Sequence, residues 1–257
     1  MLVTLLLSLI PGEATPAARS EKVVLHTEDK FVITGEYHPP RGVAKGTRAP
    51  AVLLVHDAGG SRADLEGIAE ILAASKVGAF RLDLRGHGES KTVEGKTEPF
   101  DWKKADMVGD KPFLKMHREL AAAAEWLRGR PEVDVERMGI VGLGSGGSLA
   151  LRFASREEAF RAAVLVSLPG LSDRGFDLTE DLKRLDGRSV LLVSDREGSG
   201  VAKDLQKFAA QYPDAKPLET RVTKEEGAGA ALLKAEKGLD RALAGWIRDR
   251  LAPAKKE

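Results

Sequence analysis

The chain contains no cysteine, which excludes disulfides, a thiolate nucleophile, zinc–sulfur sites and lipid attachment through an N-terminal cysteine. Nor does it carry an excess of one charge, since 40 basic residues stand against 39 acidic ones for a net charge of +1. No stretch gathers basic residues as a phosphate-tracking surface requires, so nucleic acid is excluded as a partner. Internal repeats and low-complexity tracts are missing. Beyond the first residues there is no apolar run long enough to span a bilayer.

What the N-terminus does hold is an almost uninterrupted apolar run, Leu2 to Ile10, followed by Pro11, Gly12 and small residues from Ala14 to Ala18. That order reads as a signal peptide, although no Lys or Arg precedes the run. Residues 1–18 are therefore expected to be absent from the mature protein, which would be periplasmic or secreted; the alternative is a disordered N-terminus on a cytoplasmic protein. The whole chain, 257 residues and 42% hydrophobic, suits one domain. Its expected span is residues 21–252, with a disordered tail over 253–257.

Alternation at Val23 and Leu25, then Phe31 and Ile33, around Glu28-Asp29-Lys30 predicts an opening antiparallel hairpin. The pattern then changes to short, mostly apolar runs: Ala51–Val55, Ala79–Leu84, Met138–Leu143, Ala162–Val166 and Val190–Val193. Such runs suit strands buried on both faces. Between and after them, three-to-four spacing of apolar residues predicts helices at Leu65–Ala74, Pro112–Leu127, Ser148–Ala154, Val201–Phe208 and Ala231–Leu251. Repeated strand–helix units with short connections predict an α/β fold with a mostly parallel, doubly wound sheet. Lys91 to Asp110 lacks a period and is expected to be a surface loop beside the carboxyl edge of the sheet.

Three segments then carry a family likeness. His56-Asp57-Ala58-Gly59-Gly60 resembles the oxyanion loop of α/β-hydrolases, and Asp83-Leu84-Arg85-Gly86-His87-Gly88-Glu89-Ser90 resembles their D-x-R-G-H-G-x-S turn. Gly142-Leu143-Gly144-Ser145-Gly146-Gly147 sits where the nucleophile elbow belongs, with a strand before it and a helix after it. The chain from about Val23 onward is similar to that superfamily, with esterases and serine aminopeptidases nearest in style. The resemblance implies a single-domain α/β-hydrolase fold, about eight strands including the N-terminal hairpin, and little or no cap domain.

The same resemblance locates a catalytic triad, and two of its positions are empty. Gly142 and Gly146 are the small residues that flank an elbow nucleophile, and between them stands Gly144, which has no group to acylate. Ser145, the fallback nucleophile, is one step too late for the turn. All five histidines lie at or before His117, whereas the fold places its catalytic histidine after the last strand. Glu226-Gly227-Ala228-Gly229-Ala230-Ala231-Leu232-Leu233 resembles the histidine loop with Ala228 in the histidine's place. The acid position falls on Glu197 or on Asp195 in Ser194-Asp195-Arg196-Glu197. His87 and His56 are expected to tie loops together, and Asp57 would oppose negative charge at the oxyanion loop. Triads built from His117, Ser148 or Ser167 would need a rearranged site.

The elbow also spells G-x-G-x-x-G through Gly142, Gly144 and Gly147, but the next strand ends in Ser167-Leu168-Pro169 rather than in a ribose-binding acid. No cofactor or metal is implied. What remains is a helix start whose amides at Ser145 and Gly146 face Ala58 and Gly59, a place that attracts anions. The sequence therefore predicts a pseudo-hydrolase that binds a small anionic or ester-like ligand or a protein partner. The alternative is a residual carboxylesterase or peptidase using Ser145 or a rearranged site.

Overall fold

A computed structural model describes residues 19–104, 112–170, 172–173, 175–185, 187–211 and 218–253. The expected leader and the tail from residue 254 lie outside them. Among the described residues no helix is long and apolar enough to cross a membrane.

The chain opens with β1 (Glu21–His26) and β2 (Phe31–His38), paired antiparallel as the alternation predicts. Their turn is fixed by Thr27, whose Oγ1 accepts the Phe31 N–H at 2.9 Å and donates to Asp29 at 2.7 Å. Then come β3 (Ala49–Val55), α1 (Glu66–Ala74) and β4 (Gly78–Leu82). After the short β5 (Thr92–Val93) follow α2 (Pro112–Lys115), α3 (His117–Arg128), β6 (Val133–Leu143) and α4 (Ser145–Ala154). β7 (Phe160–Val166) leads to a two-residue pair, β8 (Ser172–Asp173) and β9 (Phe176–Asp177), then α5 (Leu178–Lys183) and β10 (Ser189–Ser194). The chain closes with α6 (Ser199–Ala209), β11 (Glu219–Val222), α7 (Gly229–Ala235) and α8 (Leu239–Arg250).

Nine strands make one sheet in the order β1-β2-β4-β3-β6-β7-β10-β11, with β5 on β2. From β4 to β11 every pairing is parallel, and β2 runs antiparallel to both its long neighbours. Side-chain alternation explains why the central parallel strands β3 and β7 are almost wholly apolar. Ala51, Leu53 and Val55 of β3 enter the core beneath α3 and α4, whereas Val52 and Leu54 enter the core beneath α1 and α8. Both faces are covered, so each fully buried leucine contributes about 1.5–3 kcal/mol through burial.

The structure departs from the predicted elements where periodicity is blind to backbone conformation. The helix expected over Ala231–Leu251 is two helices: α7 ends where Glu236 turns extended at ψ 98°, and Gly238, left-handed at φ 78°, is the N-cap from which α8 starts. The one expected over Pro112–Leu127 divides at Met116. β11 and α5 have no apolar signature: Thr220, Arg221 and Val222 are exposed on an edge strand, and α5 is a short helix capped by Asp177, which accepts the Thr179 N–H at 3.0 Å. The expected surface loop contains β5, and its residues 105–110 lie outside the described ones.

Candidate functional site

The topology itself selects one place on the sheet edge. β3 is followed by a connection to β4 on one side, and β6 lies on its other side and leads to β7, so the winding reverses between β3 and β6. Ligands of open α/β sheets bind at such a reversal, beyond the carboxyl ends of the strands. Register brings two loops together there. Val55 pairs with Gly142, so Asp57 and Gly144, each two residues further on, emerge side by side.

Gly144 has φ 52° and ψ −125° and starts α4. Its N–H donates to the Val166 carbonyl at 2.8 Å, which anchors the turn to β7. A Cβ at Gly142 would lie 2.5 Å from the Gly146 carbonyl, and one at Gly146 would lie 2.1 Å from the His56 carbonyl, so the sharp strand-to-helix turn leaves no room for side chains at its flanks.

At the crest itself the space is not vacant. A Cβ built on Gly144 would fall 2.1 Å from Cγ of Asp57 and within 2.3 Å of both its carboxylate oxygens. The Asp57 side chain thus fills, from the neighbouring loop, the volume in which an elbow side chain would begin. Its Oδ1 accepts the N–H of Ser145 at 2.8 Å and that of Ala58 at 2.7 Å. These are the amides, one after the elbow and one on the first loop, that an oxyanion hole uses. The carboxylate is a tethered anion bound where a reaction would develop negative charge, at the start of a helix whose dipole favours it.

The predicted positions sort as follows. Ala58 and Ser145 converge on one oxygen of Asp57, while the Gly59 N–H turns away and donates to Nε2 of His87 at 3.0 Å. Gly146 packs under the His56 carbonyl. Ala228 precedes α7 and is exposed. Its neighbour Gly229 faces the same carboxylate, a Cβ there lying 3.5 Å from Oδ2 of Asp57. Of the two acid candidates, Asp195 meets the histidine-like loop: its Oδ2 accepts the Gly227 N–H at 3.0 Å and its Oδ1 accepts the Gly198 N–H at 2.7 Å. Those two amides hold its carboxyl below the usual range. Glu197 is exposed on the same loop, because Asp195 directly follows the strand end and the chain has turned outward two residues later. Ser148, Ser167 and His117 form no triad: His117 bonds the Leu114 carbonyl at 2.7 Å, and the Ser148 and Ser167 hydroxyls have no hydrogen-bond partner among the described residues.

Two other histidines, His56 and His87, brace the site. His56 is wholly buried, with Nε2 accepting the Leu84 N–H at 2.9 Å and Nδ1–H donating to the Asp57 carbonyl at 2.7 Å. Burial pushes its pKa down to about 4. His87 is likewise depressed by burial, and its Nδ1–H donates to the Arg85 carbonyl at 3.0 Å. Both rings are neutral at pH 7 and join the oxyanion loop to the following turn, the role expected of them. That turn is a cross-brace. Asp83 accepts the Arg62 and Glu89 amides at 2.8 and 3.0 Å and pairs with the Arg62 guanidinium. Ser90 accepts the Thr34 N–H at 2.9 Å. Arg85 is buried between Glu119 and Asp29. Burial raises the Glu119 carboxyl, while Glu119 and Asp29 raise the guanidinium against its own burial. These shifts point opposite ways for the pair; a permanently charged arginine aimed at the carboxylate favours the ionised form.

Away from this edge, ligand atoms of Glu36, His38 and Glu66 lie within 4.8 Å of one another. Arg81 takes the cation's place among them. It donates to Glu36 at 2.7 Å and to Nε2 of His38 at 3.2 Å, and it pairs with Glu66.

A strand–turn–helix elbow at the winding reversal of such a sheet defines an α/β-hydrolase-fold protein. Residues 40–171 match the model of the dienelactone hydrolase family, just over half the chain, and the chain belongs to that family. No curated protein matches it. Among solved structures it is similar to the dienelactone hydrolase of Anabaena variabilis ATCC 29413, at 18% identity and TM-score 0.62 over 90% of this chain and 95% of that one. An esterase of Pyrococcus furiosus is similar at 17% identity and TM-score 0.67 over 95% and 96%. The acetyl xylan esterase of Paenibacillus sp. R4 is similar at 17% identity and TM-score 0.68 over 94% and 87%.

Sequence reasoning noted the charge of Asp57 and missed its place. The signal was there in combination, an acid on the oxyanion loop together with a glycine at the elbow, but each half was read separately.

Proposed function

We propose that this member of the dienelactone hydrolase family is non-hydrolytic and keeps the hydrolase frame to bind a ligand or partner. The observation that carries the reading is the Asp57 carboxylate, seated in the volume of an elbow side chain and on both candidate oxyanion amides. Hydrolysis through an acyl-enzyme needs a nucleophile at the crest, a base to take its proton, and free donors for the oxyanion. Gly144 supplies no nucleophile, Ala228 no base, and Asp57 occupies the donors. A second negative charge developing beside that carboxylate would be repelled rather than stabilised. An ester-like or anionic ligand at the elbow would have to compete with Asp57 for the same two amides.

Exposure of the purified protein to a fluorophosphonate, followed by intact-mass measurement, tests this. No adduct is expected. A stoichiometric adduct mapped to Ser145, Ser148 or Ser167 would establish a working serine and overturn the reading. We also propose export through the Leu2–Ala18 segment. The native N-terminus, read by mass spectrometry from the source organism, should begin after it; an intact Met1 would contradict export.

A further inference from the structure

We propose that a cavity on the outer side of the oxyanion loop binds an organic phosphate monoester with a flat ring. The cavity measures about 510 Å³ and opens between Gly59, Gly86, Lys91, Phe100, Trp102 and Lys103. That size falls in the range of about 300–1,000 Å³ used for small ligands. None of Gly144, Ser145 and Ala228 lines it, so the inference stands whether or not the elbow is hydrolytic.

Charge selects the anion. Lys91 and Lys103 are exposed and have no carboxylate partner among the described residues. The one acid on the wall, Asp101, is already engaged: its Oδ1 accepts the Lys103 N–H at 3.0 Å and its Oδ2 lies 3.9 Å from Nζ of Lys104. Two uncompensated ammonium groups match a group of charge about −1.5 to −2, which a phosphate monoester carries at pH 7 and a carboxylate does not.

The wall selects the ring. Trp102 stacks on His87 with centroids 4.6 Å apart and planes 19° from parallel. His87 is itself held by the Gly59 N–H and the Arg85 carbonyl. Glycine at 86 allows the indole this close approach, since a Cβ there would fall 2.8 Å from Cβ of Trp102. Trp102 is therefore fixed before a ligand arrives, which lowers the ordering cost of binding, and it presents an aromatic surface beside two cations.

Calorimetry on the full chain at pH 8 with phenyl phosphate tests the inference, with inorganic phosphate and phenol as separate arms. Saturable binding with a Kd of about 1 mM or tighter is expected, roughly 5-fold or more ahead of either fragment. Lys91→Gln and Lys103→Gln should each weaken it about 5-fold, the loss of one charge-assisted contact at an exposed rim. Both side chains are exposed, so the fold should persist, as circular dichroism would verify. Affinity should fall below about pH 6, where the dianionic ester takes up a proton and becomes a monoanion. Absence of saturation at about 10 mM, equal binding of inorganic phosphate, or full affinity in the Lys91→Gln/Lys103→Gln double variant would each overturn it.

Discussion

Replacing Gly144 by serine restores the side chain that an elbow would need, and the structure predicts that Asp57 will make this costly. Two contributions are separable. At φ 52° and ψ −125° a residue with a Cβ is strained by about 1–3 kcal/mol. In addition, the new Cβ would overlap the Asp57 carboxylate, 2.1–2.3 Å away, and must drive it off the Ser145 and Ala58 amides. Charge-assisted hydrogen bonds contribute about 1.5–3 kcal/mol each when buried; at this half-buried site, where water replaces them in part, about 2 kcal/mol for the two together is a reasonable scale. Gly144→Ser should therefore cost about 3–5 kcal/mol in the natural chain and only about 1–3 kcal/mol in an Asp57→Ala background. Urea unfolding of the four proteins of this cycle measures the coupling directly. Costs of Gly144→Ser that agree in the two backgrounds within about 0.5 kcal/mol, the usual limit of additivity, would refute the claim that Asp57 holds the crest. The same argument means that Gly144→Ser with Ala228→His should remain a poor esterase until Asp57 is also removed.

Asp57→Ala alone should free the two amides, so that acetate or phosphate binds at the elbow with a gain of about 1–2 kcal/mol over the natural chain, read by calorimetry at tens of millimolar ligand. Stability should fall as the pH is lowered, because unfolded His56 takes up a proton below about 6.5 while the folded ring resists until about 4. The depressed folded pKa means that this contribution is complete above pH 6.5 and lost on approach to pH 4, up to about 3 kcal/mol; urea midpoints should show a shallower slope in His56→Gln. Arg85→Met leaves Glu119 buried with no counter-charge, driven to its protonated form, and should cost about 3–5 kcal/mol at pH 7, with much of the loss recovered in Arg85→Met/Glu119→Met.

Much of the architecture was legible because burial on both faces leaves a mark on sequence. The runs at Ala51–Val55 and Ala162–Val166 are apolar since alternate residues feed two cores, and each is found as a strand. β11 left no such mark, being an edge strand with three exposed residues. Gly238 looks like any helical interruption until its φ of 78° is seen. For the site, the glycines of the elbow could be read from motif spacing alone, and the proposal that the triad is broken at 144 and 228 rests on that same spacing. The side-by-side emergence of Asp57 and Gly144 could not, because it depends on the register Val55↔Gly142 between strands far apart in the chain. The choice between Asp195 and Glu197 likewise turns on where the chain bends after β10, which spacing does not state.

The most direct test of the central claim is steady-state hydrolysis of p-nitrophenyl acetate by the natural chain and by Ser145→Ala. With the crest held by Asp57 and no histidine later in the chain than His117, both proteins should match buffer, or share the same faint background. Turnover by the natural chain that Ser145→Ala abolishes, with the fold intact by circular dichroism, would contradict the account.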